Sequence, residues 1–340
     1  MSSYKVNIVG ASGYVGAELI RIVHGHPDFI LGDLFANTKA GQSVSDLFPN
    51  TEVALGGVQL KSMDESTIDD CDVLFLALPH TQSQEVVNTL SNTDVLVVDM
   101  SADFRFEDPS IYEKWYDTKH LNPEKQTDFV YGLPEVHREK IRGAKFISAP
   151  GCYPTSAILA CRPFINEGLL SGSSVIVDAA SGVSGAGANP SDTTIFTNVD
   201  SNFKAYGLIN HRHTPEMSKE LGVEVLFTPH LLPMTRGIVS TCYIPTAVDI
   251  SADDLKDIYS KYYGEEMFVH VVDEAPSTKA VSGTNNVLVS VFFDERTKHI
   301  VAISAIDNLV KGAAGQGVQA ANIALGLEED SGLNFMAVYP

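Results

Sequence analysis

Cys152 lies in the run Ala149-Pro-Gly-Cys-Tyr-Pro-Thr155, a setting that can make a thiol reactive. Residues 144–148 read as the end of a short strand. Pro154 suits the first position of a helix, which residues 156–162 continue. A thiol beside a helix start meets unpaired backbone N–H groups and the positive end of the macrodipole, which favour a thiolate. The thiolate is the nucleophilic form, so Cys152 is read as a nucleophile. Such a nucleophile needs a proton acceptor nearby. His211-Arg-His213, just ahead of Pro215 and Glu216 at a second helix start, offers two. Either histidine can fill the role at this level.

Two glycine-rich segments add a dinucleotide site. Gly10, Ser12, Gly13, Tyr14, Val15 and Gly16 form a Gly-x-x-Gly-x-x-Gly turn between an apolar strand and a helix. Small residues there let the backbone approach a pyrophosphate at the helix N-terminus. NAD sites usually carry an acidic residue at the end of the second strand. Here Asp33 is read as lying inside that strand, and Asn37, Thr38 and Lys39 follow it, which favours the 2′-phosphate of NADP. Leu78, Pro79 and His80 close the third strand on the cofactor side. Ser181, Gly182, Ser184, Gly185 and Ala186 form a loop that presents backbone donors to an anion or lets a cofactor pass close. Asn308 precedes a glycine-rich helix start and is placed with them. Ser101 and Arg105 crowd the end of another apolar strand, and Arg105 offers a planar fork for phosphate or carboxylate.

These residues need a scaffold that presents strand ends and helix starts. Strands at 5–9, 29–35, 73–78 and 95–99 are nearly all apolar and alternate with helices, which predicts a doubly wound parallel sheet of Rossmann type. After Cys152 the segments 175–180, 223–229, 238–248, 267–272, 287–294 and 299–306 alternate in polarity. They predict an α+β substrate and oligomerisation domain with a mixed sheet covered on one face. Residues 308–326 return to a helix expected to pack on the first domain. The expected division is 1–150 with 309–340 for NADP binding and 151–308 for catalysis and oligomerisation, with the cleft between them.

Composition narrows the classes further. The 340 residues carry a net charge of −20, which argues against nucleic-acid binding and makes each basic residue in a motif more informative. Four scattered cysteines (Cys71, Cys152, Cys161, Cys242) contain no Cys-x-x-Cys pair, so neither a disulfide framework nor a zinc site is expected. The histidine triplet lacks Asp or Cys at ligand spacing, and no metal is expected. No apolar run reaches a membrane span. The first residues enter a strand at once, leaving no room for a signal peptide. The reading is a cytoplasmic protein.

The Gly10, Ala149, Ser181, His211 and Asn308 segments together resemble the N-acetyl-gamma-glutamyl-phosphate reductase family of arginine biosynthesis, nearly end to end and including the terminal Ala337-Val-Tyr-Pro340. The run around Cys152 and His-Arg-His-x-Pro-Glu are its most specific elements, since the related aspartate-semialdehyde dehydrogenases usually differ at both. The resemblance implies NADPH-dependent reduction of N-acetylglutamyl 5-phosphate to the semialdehyde through a cysteine thioester. It implies Cys152 as nucleophile, with His213 preferred over His211 as acid–base residue because it adjoins the helix start. Arg105 and Arg212 become candidates for the substrate's phosphate or carboxylate, with Lys204 and Arg236 behind them. Asn189 departs from the basic residue expected after Ser-Gly-Ala-Gly. A homodimer or homotetramer built on the second domain's sheet is also implied. The competing readings are an aspartate-semialdehyde dehydrogenase or other acyl-phosphate reductase, and an NADP-binding redox sensor without turnover.

Overall fold

The computed structural model describes residues 3–63, 68–92 and 94–338. Tyr339 and Pro340, the end of the terminal run quoted above, lie outside the described residues. The chain divides into two compact units, one of Met1–Pro150 with Ala313–Leu333, the other of Gly151–Gly312 with the segment from Asn334. That last segment was expected with the first unit. It joins the second because Asn285 and Asn286 hydrogen-bond the carbonyls of Asn334 and Phe335, and Phe335 stacks on Phe268.

The first unit holds β1 (Tyr4–Val9), β2 (Phe29–Phe35), β3 (Val73–Leu76), β4 (Leu96–Asp99), β5 (Val130–Tyr131) and β6 (Phe146–Ser148). All pair in parallel, in the order β2-β1-β3-β4-β6-β5. β3 and β4 are buried at every position, as a sheet covered on both faces requires. The third strand ends at Leu76, two residues earlier than expected. Ala77 still donates to Val9 O, but Pro79 has no N–H to continue a ladder. A bulge in β2 falls at Gly32 and Asp33, where the register to β1 shifts. Asn7 fills it: its side-chain oxygen accepts the Asp33 N–H at 2.7 Å, and a Cβ on Gly32 would lie 2.4 Å from that oxygen. Gly315–Leu325 packs on β4, with Gly317 pressed against Met100. The predicted single helix over 308–326 is broken: Val310–Ala314 is a π-turn, with Gly312 N–H bonded to Asp307 O, and the α-helix starts only at Gly315.

The second unit holds β7 (Ser174–Gly182), β8 (Lys204–Ala205), β9 (Glu224–Leu232), β10 (Ile238–Pro245), β11 (Val269–Val271), β12 (Val287–Asp294) and β13 (His299–Ile306). The sheet order is β11-β12-β13-β10-β7-β9-β8 with mixed pairing. Burial alternates along β10, with Ile238, Ser240, Cys242 and Ile244 inside, as one covered face demands. The helices Cys152–Asn166, Thr214–Leu221 and Ala252–Tyr263 pack on this sheet. Pro163 interrupts the first of these and removes the N–H that would serve Leu159 O. The Tyr263 hydroxyl donates to that carbonyl at 2.7 Å. On the opposite face Phe292, Val301, Tyr243, Ile176 and Leu226 stand opposite one another across five strands, with Leu226 55% exposed.

Candidate active site

The helix over Cys152–Asn166 starts on Cys152 itself, with Gly151 as its extended N-cap residue. Pro154 was expected first; it is third, and this is harmless because the first helical N–H bond is made by Thr155, to Gly151 O at 2.9 Å. Cys152 is a half-buried cysteine outside any disulfide, in the first turn. Gly312 packs directly on it, since a Cβ there would lie 2.8 Å from the Cys152 Cβ.

His213 is the N-cap residue of Thr214–Leu221. Its imidazole rests on the residue preceding the thiol: a Cβ on Gly151 would lie 2.5 Å from His213 Nε2. Glu216, three residues on and therefore on the same helix face, reaches the same glycine. Its buried Oε1 accepts the Gly151 N–H at 2.8 Å. The helix start thus sets a ring and a carboxylate on the turn that carries Cys152. Losing the carboxylate leaves a buried donor unsatisfied, so Glu216→Ala is expected to cost about 2 kcal/mol of unfolding free energy in urea, and Glu216→Gln less than half of that.

His211 has a different environment. Its Nδ1 accepts the His213 N–H at 3.2 Å, which puts its proton on Nε2. Burial, then the charge of Arg212, lowers its pKa to about 4, so it is neutral near pH 7. The two imidazoles lie 4.9 Å apart, and the Tyr153 ring stands edge-on to both. The Tyr206 hydroxyl donates to Tyr153 Oη at 3.2 Å, and Tyr153 donates to His230 O at 3.1 Å. Burial pushes Tyr206 up to about 12 and Tyr153 further, so both stay hydroxyl donors.

The Ser181–Gly187 loop is held against residues 234–237. Gly182, Val183 and Ser184 donate N–H groups to the carbonyls of Gly237, Met234 and Thr235. Asn308 braces both loops: its oxygen accepts the Gly237 N–H at 2.6 Å and its amide donates to Ser184 Oγ at 2.9 Å.

In the first unit the glycines of the β1 turn divide by function. Gly10 has φ +84°, and a Cβ on it would lie 2.3 Å from Ala77 O; one on Gly16 would lie 2.5 Å from Gly10 O. Both are required by packing. Gly13 is not, because a Cβ there meets nothing closer than Gly10 O at 3.6 Å. Its bare Cα leaves open space at a helix N-terminus, the arrangement that lets a pyrophosphate approach backbone N–H groups. Asn37, Leu78, Gln82 and Glu85 line a cleft of about 360 Å³ nearby. Asp33 is paired with Lys61 at 2.6 Å, inside β2 as expected. Asn37, Thr38 and Lys39 are exposed after the strand.

Residues 5–144 match the semialdehyde dehydrogenase NAD binding domain, and residues 152–308 match the semialdehyde dehydrogenase dimerisation domain. The N-acetyl-gamma-glutamyl-phosphate reductases of Alkaliphilus metalliredigens and Geobacter sulfurreducens are each 44% identical, over 99% of this chain and 99% of theirs. The chain belongs to the N-acetyl-gamma-glutamyl-phosphate reductase family. Its fold is also that of an aspartate semialdehyde dehydrogenase with NADP from Candida albicans, with TM-score 0.66 and 18% identity over 95% of this chain and 98% of that one.

The remaining candidate residues of this reductase-family chain fall into distinct environments. Arg105 is buried, with Nε on Ala149 O at 2.9 Å and a second nitrogen on Met100 O. Ser101, read as a substrate contact, has its hydroxyl engaged within its own loop. It donates to Asp99 Oδ2 and accepts the Asp103 N–H. Arg212 and Lys204 are exposed, Lys204 on the edge strand β8. Arg236 lies 3.6 Å from the buried Asp307 carboxylate. Pro79 and His80 are exposed, and the His80 ring is 5.4 Å from Tyr116. Asn189 is exposed. Sequence reasoning missed the contacts of Glu216, Gly312 and Tyr206 around Cys152. A carboxylate in the first turn after the histidine triplet was the available signal for Glu216. Among the described residues no group of three or more His, Cys, Asp or Glu could hold a metal ion, and no helix is long and apolar enough to cross a membrane.

Proposed function

We propose that this chain reduces N-acetylglutamyl 5-phosphate with NADPH, releasing phosphate and N-acetylglutamate 5-semialdehyde, through a thioester on Cys152. The supporting observation is the His213 ring lying on Gly151, immediately ahead of a thiol in the first turn of a helix. His213 takes the thiol proton, and the helix N-terminus favours the anionic sulfur. The sulfur attacks the acyl carbon, a C–S bond forms, and the C–O bond to phosphate breaks. Gly10, Ser12, Gly13, Tyr14, Val15 and Gly16 would hold NADPH, which when bound would supply the hydride for the thioester carbonyl carbon. The oxyanion left by hydride addition re-forms the carbonyl as the C–S bond breaks, and His213 returns its proton to the departing sulfur, restoring the Cys152 thiol.

Several features support NADP over NAD. No carboxylate follows β2, where a ribose 2′-hydroxyl would be held. Asn37, Thr38 and Lys39 stand there instead. Arg105 and Arg212 are assigned to the substrate's anionic groups, and the Ser181–Ala186 loop to the nicotinamide end. The dimerisation-domain match and the apolar row on the open sheet face support a homo-oligomer, with a second copy covering Ile176, Leu226 and Phe292. A catalytic free thiol requires a reducing compartment, which supports a cytoplasmic location.

The reverse reaction tests the substrate. Phosphate-dependent NADPH formation is expected with N-acetylglutamate semialdehyde at a kcat/KM at least about 100-fold above that with aspartate semialdehyde, which is shorter and carries a free amine in place of the acetamide. A preference for aspartate semialdehyde would overturn the assignment.

A further inference from the structure

Thr81 is a β-branched residue at φ +76°, in the left-handed region that such side chains avoid. Surrounding structure must hold it there. The holding group is Asp103, a fully buried carboxylate on the loop after β4. Its Oδ1 accepts the Thr81 N–H at 2.6 Å.

Asp103 is itself locked by a closed ring of hydrogen bonds. Tyr112 donates its hydroxyl to the same Oδ1 at 2.8 Å, and Gln84 donates its amide to the Tyr112 oxygen at 2.8 Å. Gln84 accepts the Leu121 N–H through its side chain, and its backbone carbonyl accepts the Asn122 amide. The Asn122 N–H donates to His120 Nδ1, and His120 Nε2 donates to Asp103 O at 2.7 Å. Burial lowers the pKa of His120, which keeps the neutral tautomer this ring needs. Burial, then the charge of Asp103, raises the pKa of Asp99. Asp103 Oδ1 is the acceptor of both the Thr81 N–H and the Tyr112 hydroxyl.

The bond to Thr81 is the one that ties this ring to the turn after β3. Thr81 lies in the 77–82 turn, and this turn lies under the nucleotide glycines: the Gly10 Cα faces Ala77 O and Leu78 N so closely that no Cβ fits. We infer that Asp103 is a positioning residue for the cofactor, acting through Thr81 to set the Leu78–Gln82 turn against the Gly10–Gly13 loop. The inference rests on the reading of that loop as the NADP site. The bond carries information because it forces a conformation that threonine would otherwise leave.

The test is direct titration of the full-length enzyme with NADPH, with kcat and KM measured alongside. Asp103→Ala is expected to raise the NADPH Kd and KM about tenfold or more, with a smaller effect on kcat. Glycine adopts positive φ without a restraint. Adding Thr81→Gly to Asp103→Ala is therefore expected to return the Kd to within about threefold of that of Thr81→Gly alone. A role confined to general stability would not be rescued by a glycine at position 81. If Asp103→Ala does not fold, Asp103→Asn and its Thr81→Gly partner are read in the same way. An unchanged Kd in the Asp103 variants, or a double variant no tighter than the single one, overturns the inference. Failure of the wild-type chain to bind NADPH overturns the cofactor reading instead.

Discussion

Cys152→Ser is expected to abolish phosphate-dependent turnover, by on the order of 10⁴-fold or more, while NADPH still binds. Serine is nearly isosteric, so Gly312 and Gly151 keep their contacts with the turn, and the fold should be unaffected. What is lost is the sulfur. An alkoxide is not accessible near neutral pH at a site built around one imidazole and a helix start, and an ester is a poorer hydride acceptor than a thioester. The cofactor contacts assigned to residue 10 through residue 16 involve no atom of Cys152. Steady-state assay together with fluorescence titration of NADPH checks both halves. Appreciable activity in the serine variant would refute the thioester route.

The second large effect separates the two histidines. His213→Asn is expected to lower kcat by about 10² to 10⁴-fold, the range for loss of a positioned acid–base group. His211→Asn should cost much less, because His211 uses Nδ1 as a backbone acceptor and a carboxamide oxygen can replace it. Their pH behaviour should differ as well. The pKa of His211 is lowered to about 4, first by burial and then by Arg212, so it remains neutral through the working range and cannot produce a kinetic limb between pH 5 and 8. A limb in that range should therefore persist in His211→Asn. For stability the sign is that of a depressed histidine. The neutral form is favoured on folding, so this contribution is complete above the ordinary histidine pKa and is lost as pH falls toward 4. A kinetic limb that disappeared with His211 would reverse the assignment.

The scaffold was legible where periodicity is strong. The apolar runs of β1, β2 and β4 and the alternation in β10, β12 and β13 announce a covered parallel sheet and a one-sided mixed sheet. The two-residue strands β5 and β8 carry no periodic signal and were not anticipated. The π-turn at Val310–Ala314 was equally silent, because its local composition is that of an α-helix. Gly312 gives the physical reason for the irregular stretch there: it sits against Cys152, a contact between residues 160 positions apart.

The helix starts that carry Cys152, the histidine triplet and the Gly10 turn were visible because such junctions leave local signatures in Gly and Pro. The choice between His211 and His213 was not visible. It depends on which ring rests on Gly151, and that is set by the packing of Thr214–Leu221 against Cys152–Asn166. Ser101 shows what a linear reading omits: its hydroxyl donates to Asp99 and accepts the Asp103 N–H. Asp103 was hidden for the same reason, since its importance lies in a bond to a residue 22 positions earlier.

The central claim is that the acyl group passes through sulfur. It is tested most directly by mixing the enzyme and NADP with N-acetylglutamate semialdehyde in the absence of phosphate, while recording NADPH and the intact protein mass. The account predicts a burst of NADPH approaching one equivalent per chain, followed by a slow phase, with an N-acetylglutamyl group on Cys152 that phosphate discharges. NADPH formation without any acyl adduct on Cys152, or no NADPH until phosphate is added, would contradict it.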